Sequence, residues 1–181
     1  IIIDFRNAQA KKYDTLRHMI DSVPFSKMDK IKFARLVYSV GDTRHFLVNN
    51  STYQQLKSSG SLRYFKDTAL IRLLSTYEED IKHGEFIQEE EKQLSSAQIM
   101  PFKLQHLNMK LTEGNATAAI NENFPSDLLI DFDRKTMMEL YNLVRISAWY
   151  NSFLSKPVFD PYKQKAAHII KLLQEEYHLN E

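Results

Sequence analysis

The 181-residue chain has no cysteine, only four glycines and five prolines, and a single tryptophan. Without thiols it can form no disulfide, no thiolate metal site and no cysteine nucleophile. So few glycines and prolines leave too little turn chemistry for a sandwich or barrel and favour long helices joined by few loops. No run approaches the roughly 20 apolar residues that a membrane-crossing helix needs. Neither sign of charge dominates: 24 basic side chains face 23 acidic ones. That balance supplies no long-range attraction for nucleic acid or an anionic membrane surface. His-Glu-x-x-His, Gly-x-Ser-x-Gly and Gly-rich phosphate loops are all missing. These absences point to a non-enzymatic protein with no catalytic residue, no cofactor and no metal.

What remains is ordinary globular material, 43% hydrophobic and 26% charged. Phe5, Ala8, Lys12, Leu16, Met19 and Val23 recur at helical spacing, predicting an amphipathic helix over 1–22 that Pro24 ends. The start at Ile1-Ile2-Ile3, without Met, suggests that something upstream was removed: a processed signal, a membrane anchor from which this helix would continue, or another domain. Ser26 and Asp29 resemble a capping box opening a second helix with Ile31, Ala34, Leu36, Val37 and Tyr38. A short helix over 52–58 stops at Gly60. Asp67 caps the longest element, about 68–98, whose stripe is Leu70, Leu73, Leu74, Tyr77 and Ile81. Gly84 admits a bend, and Pro101 should kink or break the helix, a further turn or two reaching Leu111. Residues 114–132 read as a loop. Asp133 caps a helix over 134–155, apolar round most of its circumference and so expected to be central. Pro157 and Pro161 then enforce a break before a last helix ending near Tyr177. The pattern describes one all-α domain over 1–181, a helical bundle of four to five main helices.

Two spacings carry a hint of metal chemistry, Asp80-x-x-His83 and Glu175-x-x-His178. Di-iron bundles place Glu-x-x-His on two facing helices, with one further Glu from each of two others. Here one motif carries Asp, the other lies at the chain's end, and charged helix surfaces produce such pairs freely. Lys27, Lys30, Lys32 and Arg35 lack any base-reading motif, so no nucleic-acid partner is assigned. The aromatic run Trp149, Tyr150, Phe153, Phe159 and Tyr162 reads as core packing around the proline corner rather than a ligand pocket.

The segment from Asn50 to Asp67, followed by Leu70, Leu74 and Tyr77, resembles a cassette in a family of uncharacterised bacterial membrane-anchored proteins. Thr52, Tyr53, Leu56, Ser58, Ser59, Gly60, Leu62, Leu70 and Tyr77 stand in the places of that pattern, and the likeness is good over about residues 24–80. It implies one transmembrane helix upstream, here missing, and a helical domain on the periplasmic side. The family has no established activity, so no catalytic residue transfers. Thr52, Tyr53, Leu56, Ser59, Gly60 and Arg63 are the cassette residues open to partner binding, although a capped short helix and a glycine stop explain much of the pattern structurally. The resulting expectation is an extracytoplasmic domain acting through contacts with an unknown protein partner, with homo-oligomerisation open. The competing readings are a ligand-sensing envelope domain and a bundle-type metal-binding protein.

Overall fold

The computed structural model describes residues 2–108, 129–130 and 132–178, and among these it is an all-α bundle with no strand. The helices are α1 (Ile2–Ser22), α2 (Lys30–Tyr38), α3 (Ser51–Ser58), α4 (Thr68–Leu94), α5 (Met100–His106), α6 (Arg134–Phe153) and α7 (Asp160–Tyr177). Asp67 and Asp133 cap α4 and α6 as the sequence indicates, accepting from the backbone N–H of Ala69 at 2.7 Å and of Thr136 at 2.8 Å. Ser26 does not open α2. It lies in a single 3₁₀ turn, Phe25–Lys27, and Asp29 is itself the cap, accepting from Lys32 N–H at 3.0 Å. Gly60 adopts φ +70°, the left-handed stop expected after α3.

The two proline-marked interruptions take an unexpected form. Between α4 and α5 the chain widens into a π turn, Ser95–Ile99, in which Met100 N–H bonds the Ser95 carbonyl five residues back. Proline has no N–H and its ring crowds the carbonyl four residues before it; one wide turn moves that carbonyl aside and lets the helix run on. A second π turn, Leu154–Phe159, holds Pro157 and joins α6 to α7 without the break expected there. The chain thus forms two long helical rods, α4–α5 and α6–α7. The helix reaching Leu111 and the loop over 114–132 fall largely outside the described residues. Where the chain re-emerges, Ile130 N–H bonds the His106 carbonyl at 2.9 Å.

Helix α1 lies along α6, with α2 against it, and α4 packs on α7. That last pair is antiparallel: Phe65 meets Tyr177, Asp80 pairs with Lys165, and Gly84 faces Tyr162. Gly84 produces no break in α4. It is a seat, since a Cβ there would stand 2.8 Å from the Tyr162 ring. The core has two parts. The larger gathers Tyr13, Leu16, Phe33, Val37, Phe102, Leu140 and Val144; the smaller gathers Ile81, Leu154, Val158, Phe159 and Tyr162.

A buried polar layer separates them. Along α4, Gln88 and Glu91 fall between Ile81 and Leu94; along α6, Ser147 and Asn151 fall between Val144 and Leu154. Helix α1 contributes Arg6 and Gln9 ahead of Tyr13. Arg6 forks onto Glu91 at 3.0 and 2.8 Å, and Asn151 Nδ2 donates to the Arg6 carbonyl at 2.8 Å. Gln9 Nε2 donates to the carbonyls of Ser39 at 3.2 Å and Asp42 at 3.1 Å. The buried line of α1 is therefore Arg6, Gln9, Tyr13, Leu16 and Met19, rotated from the expected stripe: Phe5 is half-buried, and Ala8 and Lys12 are exposed.

Helix α6 is not enclosed as its composition suggests. One face fills the core, while Met138, Ile146 and Trp149 on the other remain 57%, 41% and 53% exposed.

Candidate functional site

The strap from Asp42 to Asn50, which has no regular secondary structure, meets α4 at Gln88. Gln88 accepts from the Phe46 N–H and donates to the Phe46 carbonyl at 3.4 Å, so its amide pairs with the strap as a neighbouring strand would. Strap, α3, α4 and α7 enclose a cleft of about 340 Å³. Phe46, Leu74, Tyr77, Ile81, Ala166 and Ile169 supply most of its walls, and Tyr53 of the cassette completes them. The volume and apolar lining suit a small molecule.

Two carboxylates line that cleft, Glu78 and the exposed Glu85. Glu78 accepts from Lys57 Nζ at 2.8 Å, Gln54 Nε2 at 3.0 Å and Lys82 Nζ at 3.0 Å. These bonds, that from Lys57 first, hold its carboxyl down at about 2, and the same contact raises the Lys57 ammonium. The Tyr53 hydroxyl is different: it is buried and has no hydrogen-bond partner among the described residues.

The cassette divides in two. Tyr53 and Leu56 turn inward, half-buried, whereas Thr52, Ser59, Gly60 and Arg63 stay at the surface. Their bonds are local. Ser59 Oγ meets Ser61 Oγ at 2.7 Å, and Arg63 donates to the Tyr64 hydroxyl at 2.9 Å while its guanidinium covers that ring. Of these six residues Tyr53 alone lines the cleft, joined there by Asn50, Leu74 and Tyr77 from the rest of the cassette.

The two acid-histidine spacings do not come together. Asp80 is ion-paired to Lys165, and His83 is exposed. Glu175 lies ten residues beyond Lys165 on antiparallel α7, about 15 Å along the axis from Asp80's partner. Its neighbour there is Lys171 at 3.7 Å. Among the described residues no three acidic or histidine side chains cluster as a metal site.

A second, polar cleft opens at the π turn between α4 and α5, lined by Tyr38, Asp42, Thr43, Ser95, Ser96 and Lys103. Lys103 is buried over the Tyr38 ring, and burial lowers its pKa against the opposing pull of Asp42. Asp42 is raised by its own burial, with Lys103 and Lys12 opposing. Here a cation and an anion already offset one another.

The aromatic run also divides. Phe159 and Tyr162 are buried as core, but Trp149 stands out, stacked on Phe153 at 5.1 Å between ring centres. Neighbouring Tyr150 is raised by burial and then by the charges of Glu90 and Glu91, which places the acidic flank of α4 beside this face. The cleft is hard to read from sequence because its walls come from segments far apart in the chain, although Tyr53, Leu74 and Tyr77 of the cassette all line it. The α6 face lies on one helix, whose apolar composition reads as buried all round.

No protein-family model, curated protein or solved structure matches the chain. Among the described residues no helix is long and apolar enough to cross a membrane.

Proposed function

We propose that the protein is a non-enzymatic domain working through protein contacts, and that the outer face of α6 is its contact surface. The carrying observation is Trp149, 53% exposed in a line with Met138 and Ile146 on a helix whose other side is core. An apolar helix face carrying an exposed tryptophan is what a hot spot uses. Arg134, Lys135, Arg145 and Lys156 are exposed around it, and Glu139 is the only acid of α6. The adjoining outer side of α4 is the opposite: Phe86 is 60% exposed among Glu85, Glu89 and Glu90. A basic apolar ridge beside an acidic one is self-complementary under a two-fold axis, because each ridge can cover its opposite on a second copy. The partner argued for is therefore a second copy of this chain. The extracytoplasmic setting belongs to the same proposal and rests on the resemblance carried by the cassette.

The test is light scattering across a concentration series. A dimer is expected, lost in Trp149→Glu and in Arg145→Glu, and regained at least in part when Arg145→Glu is joined to Glu89→Lys and Glu90→Lys. A monomer at every concentration, or a dimer indifferent to these changes, overturns the assignment. Folding of each variant is checked by circular dichroism. A topology reporter fused to the full-length protein in bacteria tests the setting, and a cytoplasmic signal would reject it.

A further inference from the structure

We propose that the polar cleft at the π turn between α4 and α5 binds a small zwitterion of the free amino acid kind, its carboxylate on the Lys103 ammonium and its ammonium on the Asp42 carboxylate. Helical spacing builds the cleft. Lys92, Ser96, Ile99 and Lys103 follow one another by four, three and four places, so one face of the α4–α5 rod is turned to the segment from Tyr38 to Thr43. Ser95 Oγ ties the two sides together by donating to the Gly41 carbonyl at 3.3 Å. The space between them is about 380 Å³, enough for an amino acid of ordinary size.

Two opposite charges line this space without touching. Lys103 is only 8% exposed, and its ammonium makes no hydrogen bond or ion pair among the described residues; it lies over the face of the Tyr38 ring, 5.2 Å from the centre. Its nitrogen is not one of the sealed, unpartnered atoms of the interior, as Ser147 Oγ is, so it keeps an opening to the cleft. Asp42 is the more open of the two, and its carboxylate likewise accepts no hydrogen bond among the described residues. A buried cation with no counter-ion in contact is costly, and a guest that supplies one relieves that cost. The hydroxyls decide which guest fits. Ser95 has given its proton to Gly41, and Ser96 gives its own to the Gln93 carbonyl at 3.1 Å, so both have lone pairs rather than donors left for a guest. Exposed Lys92 is already paired with Glu89 at 3.3 Å. An anion alone would therefore find one free ammonium and then the Asp42 carboxylate, and a cation alone would meet Lys103. A molecule carrying both signs satisfies the two together. The site shares no residue with the α6 face, and each can fail without the other.

The experiment is an NMR chemical-shift titration of the protein with L-leucine and its two matched controls, isocaproate, which lacks the ammonium, and isoamylamine, which lacks the carboxylate. L-alanine, β-alanine and γ-aminobutyrate extend the series to a smaller body and to wider charge separation. At least one zwitterion should bind at one site per chain, about ten-fold or more tighter than either single-charge control. Lys103→Met and Asp42→Asn should each weaken it about ten-fold. Isocaproate should separate the two charges: Lys103→Met should abolish its binding, whereas Asp42→Asn should leave it unchanged or tighter, a split that loss of folding would not produce. Lys103→Gln repeats the first test with a polar end, and circular dichroism checks that each variant is folded. Failure of every zwitterion to bind, isocaproate binding as tightly as the best zwitterion, or zwitterion binding indifferent to both substitutions would each overturn the proposal.

Discussion

Arg6 and Glu91, 85 positions apart in the chain, meet through two parallel bonds in the interior, with side-chain exposures of 1% and 8%. Two ions of opposite sign so placed do little net for stability, because their desolvation consumes most of their attraction. Removing one is another matter, since the survivor is left charged and buried. Glu91→Ala should cost about 3–5 kcal/mol, read as the fall in the urea midpoint, whereas the apolar pair Arg6→Met with Glu91→Leu should come within about 1 kcal/mol of the parent or exceed it. A single variant as stable as the parent would show that water reaches the site. The pair's role is register: it permits one axial alignment of α1 against α4, which two greasy surfaces would not fix.

Gly84 presents two effects of opposite sign. Alanine in mid-helix is favoured over glycine by about 1 kcal/mol. The added Cβ, however, would lie 2.8 Å from Tyr162 Cε2 and 3.4 Å from Val158 Cγ1. A ring packed between two helices cannot withdraw as a flexible tip could, so overpacking should win, with Gly84→Ala destabilising by about 1–3 kcal/mol. The same substitution in a Tyr162→Ala background should be neutral or stabilising. Equal costs in both backgrounds, measured by denaturant titration as a double-mutant cycle, would mean that the helices are farther apart than they stand here.

How much of this was legible in the sequence depended on which residues were allowed inside. The all-α class, the caps Asp67 and Asp133 and the stop at Gly60 rest on local chemistry, and local chemistry decides them. The α1 stripe failed because Arg6 and Gln9 count as surface residues by composition. Their positions carried a signal all the same, since stepping back from Leu16 and Tyr13 by three and four lands on Gln9 and Arg6. The prolines misled in a similar way. Each marks a discontinuity, but nothing local says whether the chain will leave the helix or widen one turn. At Pro157 the tight packing of Leu154, Val158 and Phe159 into the smaller core rewards staying helical.

Glu78 makes the stability depend on pH at the acid end. Its folded pKa of about 2 lies below the ordinary carboxylate value, so the ionised form is the one the fold prefers. Its contribution is complete above the unfolded value and is lost as pH falls from about 4.5 through 2. The bonding lysines are half-exposed or more, and solvent screening reduces the contribution to about 1 kcal/mol. The stability gap between the parent and Glu78→Gln should therefore be present at pH 7 and close across that acid window. A gap that stays constant to pH 2.5 would place the loss in packing instead.

Tyr13 works at the other end of the scale. Burial pushes its phenol up to about 12, with a hydrogen bond to the Gly41 backbone opposing and the charges of Glu91 and Asp42 adding to the rise. The neutral phenol is thus the form that fits the core, and a folded value raised above the unfolded one means stability present below about pH 10 and lost as pH climbs toward 12. Tyr13→Phe forfeits the Gly41 bond and should cost about 0.5–1.5 kcal/mol at pH 7. It also removes the ionisation, so the two stability curves should converge and then cross between pH 10 and 12, with the variant the more stable beyond the crossing. The other tyrosines titrate identically in both proteins and cancel in the difference. Parallel curves through pH 12 would mean that the Tyr13 ring ionises as freely in the folded chain as in the unfolded one, and its place at the head of the larger core would be wrong.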